Sequence, residues 1–397
     1  MRRSRGRSQF YKTFSFNKLA RSWTFTAAVL ALCISVPAGS AQTTGISSQG
    51  ETWRFAVSGD SRNCGDVVMP AIARSIHQAG ASFYWHLGDL RALYDFDEDM
   101  MAERYKQQMT NPNLKPLQVL EYQSKAWPDF IAKQVDPFAT TPFFLGIGNH
   151  EIVPPKTRKD FVIQFADWLD SEPLHGQRLS DDSSDHQLHT YYHWIMDGID
   201  FLYLDNASEL EFDDAQLGWA TSLLAKDAVS TAIRAVVVGM HEALPESLAR
   251  GHSMSDFPQE QASGLQLYAK LLEIQNRGKK VYVFASHSHF YLQNIFDTPF
   301  WRAHGGVLPG WIIGTAGAQR YELPDGVQPS DGAKRDTYGY LLVTVHRAKG
   351  AEPLTTEFVE IQKQDIPTAI RARYTDKFVD WCFENNSLTH PETSTPW

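Results

Sequence analysis

The chain has 397 residues, of which 43% are hydrophobic and 12% aromatic, enough for a sizeable core, so disorder is excluded as its main state. Its formal net charge of −9 excludes binding to nucleic acids or anionic membranes by bulk electrostatics. An anionic ligand would therefore need a local positive site.

The N-terminal residues have the three parts of a secretory signal. Residues 1–22 hold seven Lys and Arg and no acid, an apolar run extends from Trp23 to Val36, and small residues follow up to Ala41. We predict a signal peptide over 1–41 and export to the periplasm or the extracellular space, with an uncleaved N-terminal anchor as the alternative. The apolar run is shorter than the roughly 20 residues of a membrane span. Cleavage would change the net charge to −16 and leave no stable membrane span.

Short apolar runs and helical patterns alternate after a polar linker at 42–51, which predicts an α/β domain over 52–362. Interior strands are predicted at 54–58, 82–87, 142–145, 234–239 and 280–285, and helices at 66–80, 213–226 and 262–276. Paired antiparallel strands are predicted at 339–346 and 355–361. Residues 96–141 form a predicted insertion and residues 363–397 a polar C-terminal tail. Cys64 and Cys382 would pair only if the fold brings them together, and their spacing leaves that open.

Five of the predicted strands end in side chains that can bind metal. They are followed by Asp60, by Asp89, by Asn149, by His241, and by the pair His287 and His289. Ligand sites of open α/β sheets gather at the carboxyl ends of strands, so we expect these side chains to meet. Carboxylate, amide and imidazole donors suit a borderline divalent cation such as manganese, zinc or iron.

The order of these motifs resembles the calcineurin-like metallophosphoesterase superfamily, which includes the purple acid phosphatases. The matching blocks are Gly59-Asp60-Ser61-Arg62, Gly88-Asp89, Gly148-Asn149-His150-Glu151, His241, and Ser286-His287-Ser288-His289, within roughly residues 52–320. The resemblance implies a four-layer α/β/β/α sandwich of two mixed sheets with the metal site at strand carboxyl ends.

The resemblance also implies two metal ions and a role for each motif residue. Asp89 would bridge both ions, with Asn149, His241 and His287 completing one site. Asp60 and His289 would belong to the other. His150 would contact the phosphoryl group and protonate the leaving oxygen, which suits a side chain that titrates near neutrality. Glu151 would orient His150 or pair with a surface cation.

The first block departs from the superfamily because Arg62 stands where a metal-binding histidine is expected. Arginine offers only donors and cannot coordinate a cation. One alternative is that water or another group, for which Tyr94 is a weak candidate, takes the place of the missing ligand. A second is that the site is weakened and holds a single metal. A third is that Arg62 is an ordinary surface residue. We favour a fourth interpretation, in which Arg62 turns inward and binds the substrate phosphate, with Asn63 nearby as a further substrate contact.

Three histidines outside the motifs are weaker candidates. His86 lies within a predicted strand and is expected to pack in the core. His252 and His304 lie in loops near the predicted mouth of the site, where they could touch substrate.

The sequence therefore predicts an exported, metal-dependent hydrolase of small-molecule phosphoesters, either a phosphomonoesterase or a phosphodiesterase, using a metal-bound hydroxide. The alternative is a non-catalytic protein that binds a phosphorylated ligand with one metal and Arg62. The substrate stays open, because specificity would depend on the 96–141 insertion and the 242–260 loop.

Overall fold

The computed structural model describes residues 51–207, 212–249, 251–348 and 350–388. The predicted signal peptide (1–41) and all but the last residue of the predicted linker lie outside these ranges. Among the helices of the described ranges, none has both the length and the apolar character that a membrane crossing requires.

Twelve strands are present in the described residues. They are β1 (Thr52–Ser58), β2 (Tyr84–His86), β3 (Phe143–Leu145), β4 (Tyr192–Met196), β5 (Ile199–Leu204), β6 (Ala235–Met240), β7 (Lys280–Ala285), β8 (Tyr291–Gln293), β9 (Gly310–Ile313), β10 (Ala333–Lys334), β11 (Tyr338–His346) and β12 (Leu354–Ile361).

Eleven α-helices accompany the strands in the same ranges. They are α1 (Gly65–Ala79), α2 (Glu98–Thr110), α3 (Val119–Phe130), α4 (Arg158–Gln164), α5 (Ala166–Leu169), α6 (Glu172–Asp181), α7 (Asp214–Val229), α8 (Pro258–Asn276), α9 (Pro299–Ala303), α10 (Thr368–Tyr374) and α11 (Asp376–Glu384). Short 3₁₀ and π turns lie between several of them.

The strands form two mixed sheets. The first has the order β12-β11-β1-β2-β3, in which β1, β2 and β3 are parallel and β11 is antiparallel to both of its neighbours. The second has the order β10-β8-β9-β7-β6-β5-β4, with β5, β6, β7 and β9 parallel. The fully buried, Val-rich strand β6 is typical of a central parallel strand.

Aromatic side chains fill the space between the two sheets. Phe55 of β1 lies edge-on to Phe201 of β5 with ring centroids 5.3 Å apart, and Phe144 of β3 stacks on Trp194 of β4 at 4.1 Å. Buried apolar residues of α1 join this core, whereas α7 and α8 share a second core with the outer face of the second sheet. The predicted α/β/β/α sandwich of two mixed sheets is confirmed.

Local sequence explains where the main helices begin and end. Helix α1 ends at Gly80, whose φ of 66° lies in the left-handed region that glycine adopts at little cost. Helix α7 begins after Asp213, whose carboxylate accepts a hydrogen bond of 2.7 Å from the Gln216 amide.

The C-terminal segment differs from the expected polar tail. Residues 368–384 form α10 and α11, and the hydroxyl of Tyr374 donates to Asp66 of α1 at 2.7 Å. Cys382 of α11 forms a disulfide with Cys64 at the start of α1. The described part of this segment therefore packs on the domain. Apolar side chains hold it there, although the composition of the segment as a whole is polar.

Candidate metal centre

The predicted metal ligands come together because they follow strands of both sheets. Asp60, Asp89 and Asn149 follow β1, β2 and β3 of the first sheet, whereas His241 follows β6, and His287 and His289 follow β7 of the second. The parallel strands present their carboxyl ends at one edge of the sandwich, so three ligand-type residues from each sheet meet there. Asp60, Asp89, His241 and His289 are buried.

One group of side chains surrounds the Nε2 atom of His241. The Asn149 Oδ1 and His287 Nδ1 atoms each lie 3.0 Å from it, and Asp89 Oδ1 lies at 3.3 Å. His241 Nδ1 faces the Leu87 carbonyl at 3.1 Å, which turns Nε2 toward the other three groups. Two carboxylate or amide oxygens and two imidazole nitrogens thus face one point.

A second group contains Asp60, His289 and the other oxygen of Asp89. His289 Nε2 lies 3.2 Å from Asp60 Oδ1, and the ligand atoms of these three residues lie within 4.8 Å of one another. Arg62 enters the same group, with its Nη2 atom 3.2 Å from His289 Nε2 and its Nε atom 3.9 Å from Asp89 Oδ2.

The protonation states reflect a concentration of buried negative charge. Burial by itself would raise the pKa of Asp89, but His150 and His241 bring that pKa well below its ordinary value. Burial opposes protonation of His241, yet Asp89 and Asp60 raise the pKa of His241 to about 10. Burial, reinforced by the charge of His241, lowers the pKa of His287 well below its ordinary value. Asp89 is thus ionised beside a protonated His241, and a cation bound at His241 Nε2 would have to displace that proton.

The site also contains carboxylate oxygens without hydrogen bonds. Asp60 Oδ1 and Asp89 Oδ2 are buried and accept none. Such a group is costly to bury unless another partner satisfies it. Both oxygens face the group of Asp60, Asp89 and His289. The donors around His241 Nε2, two oxygens and two imidazole nitrogens, also suit a borderline divalent cation once His241 has lost its proton.

His150 lies beside this centre and not within it. Its Nδ1 atom faces the Ala92 carbonyl at 2.5 Å, and its Nε2 atom lies 3.5 Å from Asp89 Oδ2. Burial, assisted by the charge of Arg62, lowers the pKa of His150. The ring is therefore neutral at pH 7 in this state, with its Nε2 lone pair toward the site.

Glu151 takes neither of the two roles expected for it. Its carboxylate accepts hydrogen bonds from the backbone amides of Gly148, Asp89 and Leu90 at 2.8 to 2.9 Å. Burial, together with Asp89, raises the pKa of Glu151 to about 8. This residue fixes the backbone of two ligand loops, and in the described residues its carboxylate bonds neither the His150 ring nor a surface cation.

Asn63 and the three additional histidines have distinct positions. The amide of Asn63 donates to Glu98 of the insertion at 2.5 Å, so this residue connects the first loop to α2. His86 is fully buried and packs against Phe143, which confirms its expected place in the core. His252 Nδ1 lies 3.4 Å from His287 Nε2, whereas His304 is exposed at the end of α9.

Two tyrosines near the centre were not predicted as a pair. Tyr94 accepts a hydrogen bond from Arg62 Nη1 at 3.2 Å, and its ring lies 4.9 Å from that of His150. The ring of Tyr321 lies 4.1 Å from that of His289. The only sequence signal for Tyr94 was its spacing from Asp89, and no sequence signal pointed to Tyr321.

The comparisons with known proteins give structural likenesses only. No family model matches the chain, and no curated protein matches it in sequence. A purple acid phosphatase from yellow lupin (Lupinus luteus) seeds is similar over 80% of this chain and 55% of its own, with 14% identity and a TM-score of 0.45. PhoD is similar over 79% of this chain and 72% of its own, with 12% identity and a TM-score of 0.47.

A putative 5'-nucleotidase from Staphylococcus aureus is similar over 82% of this chain and 59% of its own, with 14% identity and a TM-score of 0.41. The chain thus spans little more than half the length of the lupin and staphylococcal proteins.

Proposed function

We propose that the chain is a metal-dependent hydrolase of small-molecule phosphoesters, of the calcineurin-like metallophosphoesterase superfamily, exported to the periplasm or the extracellular space. One observation carries the proposal. Asp89, Asn149, His241 and His287, which are distant in sequence and follow strands of both sheets, direct their donor atoms at a common point.

These four residues would hold a divalent cation, for which manganese, zinc and iron are the candidates. Such a cation supplies Lewis-acid stabilisation to a phosphoryl group and activates water at neutral pH. The protein's own part is to fix the donors. Asp89 is held by the His150 amide, which donates to its Oδ1 at 3.1 Å, and His241 by the Leu87 carbonyl.

His150 is the candidate for proton transfer to the leaving oxygen. Its Nδ1 atom donates to the Ala92 carbonyl, so Nε2 is the nitrogen that can accept and return a proton at the site. An anionic phosphoryl group beside His150 would raise this lowered pKa and so favour the protonated ring that proton transfer to the leaving oxygen requires. Arg62, with a buried and permanently charged guanidinium, is the candidate for binding phosphoryl oxygens.

Two observations support export. The N-terminal 41 residues have the composition of a signal peptide. The Cys64–Cys382 disulfide is of a kind that persists in oxidising compartments. Cell fractionation of the full-length chain, with N-terminal sequencing of the product, tests this part of the proposal.

The alternative, a non-catalytic protein that binds a phosphorylated ligand, is favoured by one observation. Arg62 stands among the site's carboxylates where the superfamily places a metal-binding histidine. Turnover separates the two functions, since a binding protein would retain phosphate esters unchanged.

The test is hydrolysis of aryl phosphate monoesters and diesters by the purified chain with manganese, zinc or iron, or with chelator. We expect Asp89→Ala and chelation each to reduce turnover at least about 10³-fold, because both remove charge stabilisation of the transition state. The exposed Asp325 provides a matched control, and Asp325→Ala should keep full activity. Full activity in Asp89→Ala or after chelation would contradict the proposal.

A further inference from the structure

The Arg62 guanidinium lies against His289 and Asp89, two of the residues that the superfamily pattern assigns to a second cation. Its guanidinium is buried, with Nη2 3.2 Å from His289 Nε2 and Nε 3.9 Å from Asp89 Oδ2. Both partners are atoms that a second cation would need. The chain itself thus places one positive charge beside Asp60 and Asp89. It offsets part of their negative charge, whereas Asp60 Oδ1 and Asp89 Oδ2 accept no hydrogen bond.

The ring of His289 is oriented so that its Nε2 atom can accept a hydrogen bond from Arg62. Its Nδ1 atom faces the Gln319 carbonyl at 2.6 Å and therefore carries the proton. Its Nε2 atom is then an acceptor, and an Arg62 N–H points at that lone pair. A lone pair that accepts this hydrogen bond is not available to a cation.

Two further interactions hold the Arg62 side chain in this position. Its Nη1 atom donates to the Tyr94 hydroxyl at 3.2 Å, while its charge interacts with Asp89. A cation bound to His289 would lie about 2 Å from Nε2 and hence against the guanidinium. Two positive charges at that separation repel strongly in a buried site.

The position around His241 has the donors Asp89, Asn149, His241 and His287. Among the described residues, no arginine or lysine donates a hydrogen bond to Asn149, His241 or His287, and His252 Nδ1 lies 3.4 Å from the other nitrogen, Nε2, of His287.

We propose that the centre holds one cation, at Asp89, Asn149, His241 and His287, and that the Arg62 guanidinium replaces the second. The inference rests on the proposed function and changes the expected number of cations from two to one. Arg62 would supply a fixed positive charge and N–H donors to a phosphoryl group, which a guanidinium binds in a planar, bidentate manner.

The first experiment counts cations. The full chain is purified after loading with Mn²⁺ alone, and its manganese content is measured together with its electron paramagnetic resonance spectrum. We expect one equivalent and the signal of an isolated ion in the wild type. Arg62→His should bind two equivalents and give an exchange-coupled signal, whereas Arg302→His, at an exposed surface pair, should stay at one.

Two outcomes overturn the inference: two equivalents in the wild type, or a single equivalent in a folded Arg62→His. A wild type that binds no manganese would instead contradict the proposed function itself. The circular dichroism spectrum of each variant shows whether it has folded.

The second experiment does not depend on the folding of an Arg62 variant. His287 and His289 are two residues apart on one loop, but the inference gives only His287 to the cation. We expect His289→Ala to keep one equivalent of Mn²⁺ with less than about a threefold change in Kd. His287→Ala should weaken binding at least about tenfold by titration calorimetry. Equal losses in both variants would contradict the inference.

Discussion

Three of the residues that converge on the centre have backbone angles that are unfavourable for a side chain. The φ angles are 60° at Asp60, 58° at Asp89 and 63° at His287. Such conformations cost about 1–3 kcal/mol each and persist only where the surroundings enforce them. These conformations occur where the chain leaves each strand and directs the side chain toward the centre. The geometry of the centre is therefore obtained at some cost in stability.

Gly148 is required for the same geometry by close packing. A Cβ atom at this position would lie 2.3 Å from Asp89 Oδ1 and 2.9 Å from the His241 ring. We expect Gly148→Ala to displace both ligands and to weaken Mn²⁺ binding roughly 10- to 100-fold, the range seen when groups supporting a metal site are changed. Titration calorimetry measures this.

The control for Gly148 is Gly218, which lies in helix α7 with open space where a Cβ would stand. Gly218→Ala should leave the affinity unchanged and stabilise the helix by about 1 kcal/mol. Unchanged Mn²⁺ affinity in Gly148→Ala would mean that the loops adjust without loss.

For individual residues, the sequence predicted which ligand-type side chains would meet, because residues that follow parallel strands lie at the same edge of a sheet. It did not predict the contacts of Arg62, which depend on the conformation of the loop between Asp89 and Tyr94. Leu93 in that loop has a φ of 58°, an angle that no residue pattern indicates. The roles of Arg62, Asn63 and His150 toward substrate stay predictions.

Arg91 connects the insertion to the domain. It is fully buried and bonds Asp66 of α1 at 2.6 Å, Asp99 of α2 at 2.9 Å and Asp129 of α3 at 2.5 Å. Helices α2 and α3 belong to the 96–141 insertion, so one guanidinium holds three elements around the loop that follows Asp89.

Removal of this guanidinium should loosen the insertion first. We expect Arg91→Met to lower the free energy of unfolding by about 3–5 kcal/mol, because three buried carboxylates lose their cation. Hydrogen exchange should increase most in α2 and α3. The loss should shrink at pH 5, because burial raises the pKa of Asp99 and Asp129, so that these two side chains take up protons and no longer need the guanidinium.

An exposed pair gives the comparison for Arg91. Arg302 bonds Asp297 on the surface at 2.7 Å, so Arg302→Met should cost less than about 1 kcal/mol. An equally small cost for Arg91→Met, or uniform exchange over the whole domain, would contradict the role given to Arg91.

Elements with long apolar runs were predicted within a few residues, as in β1, β6, β7 and α1. The β4–β5 hairpin was missed although Asp197-Gly198 is a typical two-residue hairpin loop, with both φ angles positive. Strands β8, β9 and β10 have two to four residues each. Their pairing depends on neighbours that are distant in sequence, so local periodicity cannot reveal them.

The disulfide constrains the whole chain. Cys64 and Cys382 are 318 residues apart and join α1 to α11. We expect the free energy of unfolding of the Cys64→Ser, Cys382→Ser double variant to be about 2–5 kcal/mol lower than that of the wild type. The reason is that the unfolded chain without the disulfide regains the conformational entropy of a long loop. Urea unfolding in oxidising buffer measures the change.

A reductant should reproduce most of that change in the wild type and have no effect on the double variant. Equal stability of the two proteins in oxidising buffer would show that the bond is not formed. So would three titratable thiols in the unfolded, oxidised full-length chain, in which the bond would leave only Cys33 free.

The ligand-type residues are divided along the chain as well as between the sheets. Asp60, Asp89 and Asn149 all precede residue 150, and the three histidines all follow residue 240. Strand β11, which completes the first sheet beside β1, ends only at His346. A half-synthesised chain therefore carries only half of these residues. A cation that needs ligands from both halves would bind only after synthesis has passed His287.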